Sequence, residues 1–428
     1  MKKKSVISII VVAILAIGAV VYVGSNHSKT TPVTASGQPI KITLWTGITG
    51  NYQKSLQNLA NSFNSSQKKY QVVLTSQTNY QTLNQKILAA AKSGTLPVMG
   101  MATYTSLADY KHNGFIQNIN DFYKTTLSSN QKNDLYPSFL SGTKVGSDFY
   151  SIPFSKSLRI MYVNNDILKK YNLTVPTTWE EMAKEGQILK SHGIYAYGFD
   201  ASFQSEWEGM LHAAGINPVS ASGQVDVNNP KAIEAAKVIL DMVKDHTAKS
   251  AGSDIFWTKN FVNGKSAFYI GSSAGLSITT MQAPKNLNWS TTQVPSYQGS
   301  NATEVAGNDL VVFKGATLEQ KAGAYSFMKY LLEPQNTTTW AKDTGYVPVD
   351  QSAVKSDAYQ AYLHTNPRAV AAVNALPNSF SQTSFVGFNQ YYTMAGQTFN
   401  NMLTTHVSAE TALNKLANQT KQIISNNK

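Results

Sequence analysis

Between residues 40 and 102 the chain switches its hydrophobic period in a way that few folds accommodate. Residues 40–45 alternate apolar and polar positions, as a half-buried strand does, and Gly47 and Gly50 end the run. Residues 52–64 then take helical spacing, with Leu56, Leu59, Ala60 and Phe63 on one face. A second strand follows at 70–75, and a second helix at 80–93 gathers Leu83, Ile87, Leu88 and Ala91. A third strand occupies 97–102. Strand–helix–strand–helix–strand order predicts a parallel sheet with helices on both faces, because parallel neighbours need a crossover between them.

The second half of the chain repeats the style without repeating the sequence. A strand is expected at 159–163, and a helix at 178–191 opening on the capping box Thr178 to Glu181. An amphipathic helix is expected at 230–244. Residues 256–262 lead into the turn dipeptide Asn263-Gly264 and a strand at 266–270. A strand at 310–313 precedes a helix at 318–332 that Pro334 stops, and a helix at 405–425 closes the chain. With 428 residues the chain exceeds one ordinary core, so two lobes are expected.

The N-terminus says where such a fold would work. Lys2, Lys3 and Lys4 precede an uncharged apolar run at 6–23, long enough to cross a bilayer as a helix. The lysines hold that end in the cytoplasm, which puts the rest of the chain outside. An uncleaved anchor is the expected form, with cleavage after Gly24 or Ser25 as the alternative. Residues 27–38, rich in Ser, Thr, Pro and Gly, read as a flexible spacer. The chain has no cysteine, so neither disulfides nor a cysteine-linked lipid can hold it, and its core must suffice.

Charge narrows the partners. The formal net charge is +12, yet only 14% of residues are charged and the only arginines are Arg159 and Arg368. Phosphate and base recognition lean on arginine forks, and no long basic run occurs beyond the N-terminus, so nucleic acid is not an expected partner. The polar side is built from Asn, Gln, Ser, Thr and Tyr, which suit neutral polyhydroxyl ligands. The seven histidines are scattered without metal spacing, and no phosphate-binding GxxxxGK[ST] loop occurs. No cofactor or metal is expected. Asp109, Glu206, Glu208 and Asp309 leave a glycosidase-like carboxylate pair open as a separate reading, an extracellular carbohydrate-active enzyme.

Several segments carry a family resemblance: LWTGITG at 44–50, TNYQTLNQKILAAAKSGTLP at 78–97, IPFSKSLRIMYVNND at 152–166, FVNGKSAFYIGSSAGL at 261–276, AGNDLVVF at 306–313 and DTGYVPVD at 343–350. In this order they resemble the extracellular solute-binding proteins of ABC importers, in the sugar and glycerol-3-phosphate-binding group. The resemblance implies a periplasmic-binding-protein-like α/β fold of two lobes, each a mostly parallel sheet flanked by helices, joined by hinge strands near 152–155, 295–306 and 345–349. Lobe 1 would be 40–153 plus 304–345. Lobe 2 would be 154–303 plus 346–428, with 1–24 as signal or anchor and 25–39 as spacer. The implied partners are a small solute and the ABC permease subunits in the membrane, with the receptor itself a monomer.

The resemblance also nominates ligand-binding residues. Tyr80 matches a ligand-contacting tyrosine just before a helix. Ser272, Ser273 and Gly275 match a Ser-rich turn after the NGKSAF stretch, Gly307 a glycine whose backbone approaches ligand, and Tyr346 a cleft-facing hinge tyrosine. Ser157, within the 152–166 match, joins the set. Where the glycerol-phosphate branch carries an acidic residue and a late arginine, this chain has Thr103-Tyr104 and the cation-free stretch 379–392. Lys156 and Arg159 are the nearest substitutes, with Arg159 in an apolar strand expected to run away from the cleft. Buried phosphate without a charge partner is costly. The expected solute is therefore a neutral sugar or oligosaccharide, with glycerol-3-phosphate or a glycerophosphodiester as the alternative. Tyr104, Trp207 and Phe385 are candidate stacking rings, beside Trp45 and Phe388, and Asp309 a candidate clamp for hydroxyls.

Overall fold

The computed structural model describes residues 37–427, so the leader expected at 1–24 and most of the spacer lie outside the described residues. Among the described residues no helix is long and apolar enough to cross a membrane.

The main sheet contains β1 (Ile40–Thr46), β2 (Tyr70–Ser76), β3 (Met99–Thr103), β4 (Ile152–Asn164), β5 (Tyr195–Phe199), β6 (Ala248–Ser250), β7 (Ser266–Ser272), β8 (Trp289–Thr292) and β9 (Thr303–Val312). They run in the order β2-β1-β3-β9-β4-β7-β5-β6, with β8 on β4. One end is parallel, as expected: β1 pairs β2 from Ile40↔Tyr70 to Thr46↔Ser76, and β3 joins at Leu44↔Met99. The other end, β7-β5-β6, is parallel too. Between them β3, β9, β4 and β7 are antiparallel. The two long strands β4 and β9 thus run from one parallel half into the other in opposite senses.

Those two strands are longer than the sequence pattern suggests, and the reason is chemical. Apolar periodicity marks only 159–163 and 310–313. The remainder carries Ser155, Lys156 and Ser157 on β4 and Gly307, Asn308 and Asp309 on β9, where polar groups replace the apolar alternation. The Thr178–Glu181 capping box forms as expected, and Pro334 ends one helix by opening the next, Pro334–Thr344. The closing helix expected at 405–425 spans Ala409–Asn426 and starts with Ser408 accepting from the Thr411 N–H. A helix the sequence reading did not include, Phe388–Thr405, precedes it and ends at His406 with φ +58°.

Two hydrophobic clusters make up the core, the first extending past the crossing strands to Tyr162, Phe261 and Trp289. In the first, α1 (Gly50–Ser66) buries Leu56, Leu59, Ala60 and Phe63, and Phe63 meets Phe327 at 5.1 Å between ring centroids. α2 (Tyr80–Ser93) buries Leu83 and Ile87 beside it. In the second, Trp207 and Phe203 each lie 4.9 Å from Phe399. Each such side chain taken out of water stabilises the fold by about 1.5–3 kcal/mol. Segment 345–349 lies against the long strands through the Lys156↔Val347 bridge.

Candidate functional site

The loops after β1 and β2 and the turn after β7 face one another across a cleft of about 640 Å³, within the usual range of ligand sites. Its inner end is built from tyrosines. Gly47 is required there, because a Cβ would come within 2.6 Å of the Tyr80 ring and 3.1 Å of its Cα. Asn308 Nδ2 donates to the Tyr80 hydroxyl at 2.7 Å, and that oxygen lies 3.5 Å from the Tyr346 hydroxyl. Tyr346 in turn stacks on Trp340. Burial holds the Tyr80 and Tyr346 phenols above their ordinary pKa, so both stay neutral hydrogen-bonding groups. Tyr52, at the start of α1, reaches across to the opposite wall and donates to the Ala274 carbonyl at 2.8 Å. The Thr49 side chain does not cap α1, whose first turn begins at the cleft, whereas Asn79 caps α2 by accepting from the Thr82 N–H. Thr78 sits in the left-handed region at φ +72°, a costly place for a β-branched residue, and it too lines the cleft.

The opposite wall is charged but balanced. Arg159 and Lys259 face Asp200 and Asp254. The Arg159 guanidinium is already taken: Nε donates to Glu206 Oε1 at 2.8 Å, Nη1 to Asp200 Oδ2 at 3.1 Å, and Nη2 to Glu206 and to the Ile270 carbonyl. Burial opposes its charge, and Glu206 with Asp200 more than offsets that, holding the group above its ordinary pKa. Asp200 also accepts from the Tyr269 hydroxyl at 2.9 Å and the Trp257 N–H at 3.2 Å.

Of the residues nominated from sequence, Tyr80, Ser157, Ser272, Gly275, Gly307 and Tyr346 line this one cleft. Others sit elsewhere. Ser273 is buried, its Oγ accepting from the Leu158 N–H at 3.3 Å. Trp207 is a core residue whose Nε1 donates to the Ala232 carbonyl. Asp309, nominated as a clamp for hydroxyls, lies outside the cleft lining and is buried, with Oδ1 2.5 Å from Lys156 Nζ and Oδ2 accepting from Ser151 Oγ at 2.7 Å. Tyr104 donates to Glu304 Oε1 at 2.5 Å beneath Phe388 and Tyr392, and Phe385 packs on Phe388 and Tyr391. Arg159, expected to point away, lines the cleft.

Tyr52, Thr78, Asp200, Phe256, Lys259 and Tyr269 line the cleft without having been nominated. A signal existed for the first: Asn51-Tyr52 and Asn79-Tyr80 are the same dipeptide at the same strand-to-helix junction. The charged wall gave none, because its members come from separate strands and loops.

Around Tyr104 lies a second polar group, facing a separate surface pocket of about 300 Å³. Glu304 accepts from Tyr104 and from Gln382 Nε2 at 2.6 Å, while among the described residues Glu208 accepts only from Gln204, at 3.3 Å. Burial raises both carboxyl pKa values, and the Glu304 charge raises Glu208 further. A carboxyl that keeps its proton longer folded than unfolded contributes stability at low pH and loses it as pH rises. Stability is therefore expected to fall from mildly acidic towards neutral pH, and Glu208→Gln to flatten that fall. Urea unfolding at the two pH values checks it, and an unchanged slope in the variant overturns it.

Comparison with known proteins follows the same lines. Residues 58–367 match the model of the bacterial extracellular solute-binding proteins. The sn-glycerol-3-phosphate-binding periplasmic protein UgpB of Shigella dysenteriae is 26% identical over 355 residues, covering 79% of this chain and 80% of that one. The cyclic alpha-maltosyl-1,6-maltose binding protein of Arthrobacter globiformis superposes with a TM-score of 0.80 at 21% identity, covering 91% of this chain and all of that one. UgpB of Mycobacterium tuberculosis, solved with glycerophosphocholine, gives 0.79 at 20% identity, covering 91% and 98%. These neighbours share the two-lobed α/β architecture. With the match spanning most of its length, the chain belongs to the bacterial extracellular solute-binding proteins.

Proposed function

We propose that this protein captures a neutral carbohydrate in its cleft outside the cell and delivers it, unaltered, to the permease of an ABC importer. The carrying observation is the cancelled charge of the cleft wall. Arg159, its one arginine, is engaged by Asp200 and Glu206, and the inner end offers neutral tyrosines and an amide. Rings and amides recognise a sugar's C–H face and hydroxyls without compensating a net charge. β4, β9 and segment 345–349, which lie side by side between the halves, serve in this reading as the hinge. The lobes are 40–153 plus 304–345 and 154–303 plus 346–428. Closure about that hinge expels water and gives the permease a shape that reports occupancy. The receptor works as a monomer, tethered by residues 1–24. Asp200 and Glu206 are held as hydrogen-bond acceptors in this site, and neither serves as a catalytic acid.

A glycerol-phosphate solute is the second reading, favoured by the names of the relatives and by Arg159 reaching the cleft. A phosphate there would compete with two carboxylates for one guanidinium. Titration calorimetry with neutral mono- and oligosaccharides, glycerol-3-phosphate and glycerophosphocholine separates the two. Saturable heat with a saccharide and none with the phosphates is expected. Binding of a phosphate that Arg159→Gln abolishes would sink the carbohydrate reading.

A further inference from the structure

Phe256 and Trp257 are adjacent aromatics with opposite fates. Trp257 is anchored: Nε1 donates to Ser266 Oγ at 2.8 Å, and its N–H reaches Asp200. Its seat exists because residue 198 is glycine, where a Cβ would lie 1.8 Å from Trp257 Nε1. Phe256 stands at the mouth of the cleft with 62% of its surface exposed. What turns it outward is a γ-turn of the rarer hand at Ile255, with φ +64° and ψ −52°, closed by the Phe256 N–H donating to the Asp254 carbonyl at 2.7 Å. Such a turn is costly for a β-branched residue, and it is fixed on both sides, by Trp257 and by the Ala201 N–H donating to the Ile255 carbonyl at 2.8 Å.

We propose that Phe256 is the stacking platform of an outer sugar subsite, so that the solute is an oligosaccharide rather than a single hexose; this rests on the carbohydrate reading above. The cleft volume of about 640 Å³ equals roughly twenty liquid waters at about 30 Å³ each, more than one hexose displaces. The inner tyrosines can hold one ring, which leaves the mouth for another. Phe256 offers that second ring an apolar face beside Ile278, while Asp254 and Lys259 stand within the same wall to meet its hydroxyls. A lone exposed ring needs no explanation on a protein surface. A ring held out by a strained turn, next to one firmly seated and on the wall of a cleft, does.

The test is calorimetry on the full chain with glucose, maltose, maltotriose and maltotetraose, and with the matching β-linked glucose and the mannose series. Affinity is expected to climb with chain length in one series. Phe256→Ala should weaken the trisaccharide about 3- to 10-fold and leave the shortest bound sugar unchanged, and Phe256→Trp should restore the loss. Equal effects at every length, or none, overturn the subsite while leaving the carbohydrate reading intact. Unchanged binding with impaired uptake by cells overturns it in favour of a permease contact at Phe256. Failure of every saccharide to bind overturns the carbohydrate reading and this inference with it.

Discussion

Gly307→Ala is expected to destabilise the protein by about 3–5 kcal/mol, the upper end of what a single methyl can do. Gly307 has φ +105°, which L side chains rarely adopt, and its Cβ would lie 1.8 Å from the Ser155 carbonyl oxygen and 2.9 Å from its carbon. Both obstacles are backbone, so no rotamer change relieves them. β9 and β4 would have to part at Gly307↔Lys156, next to the register shift between Asn308 and Asp309. Asn308 would then leave the Tyr80 hydroxyl, and the inner end of the cleft would lose its floor. Solute affinity should fall together with stability. Gly50→Ala is the control, since Gly50 has φ +58° but nothing within 4 Å of its Cβ position. It should cost only about 1–2 kcal/mol. Urea unfolding of both variants decides the matter, and equal midpoints would show that the close approach to Ser155 is not what fixes this residue as glycine.

How much of this was legible beforehand depended on whether one element or several carried the information. The parallel end of the sheet could be read from residues 40–102, because each strand and helix there carries its own complete apolar period. The crossing strands could not be read to their full length, since Ser155–Lys156–Ser157 and Gly307–Asn308–Asp309 are joined by backbone pairing and the Lys156–Asp309 ion pair rather than by an apolar face. Tyr80 and Tyr346 came from the family resemblance and are in the cleft. Trp207 and Phe385 were nominated for ring chemistry alone, which is the same in a core as in a binding site. Asp309 was misplaced for a related reason. Its role is set by Lys156, a residue on another strand, and nothing in the spacing announces that pairing.

Removing that partner gives the second large effect. Asp309→Asn keeps the shape and the Ser151 hydrogen bond but leaves Lys156, 2% exposed, with no counter-charge. Breaking a buried pair from one side costs about 3–5 kcal/mol, because the surviving ion has lost its water without compensation. The location magnifies the consequence. The Lys156 carbonyl accepts from the Val347 N–H at 2.9 Å, and Lys156 pairs with Gly307, so the ion pair sits where all three segments between the halves meet. The pH dependence identifies the cause. In the variant the folded chain holds a desolvated ammonium without a counter-charge and the unfolded chain does not, so raising the pH relieves the folded state and stability rises with pH. The deficit against wild type should therefore be greatest at acidic pH and shrink towards alkaline pH. Adding Lys156→Met removes the stranded ion and should recover most of the loss at every pH, because an apolar stem replaces an unpaired charge. If the double variant is no more stable than Asp309→Asn alone, the carboxylate matters through Ser151 and packing, and the ion pair does not hold the crossing strands together.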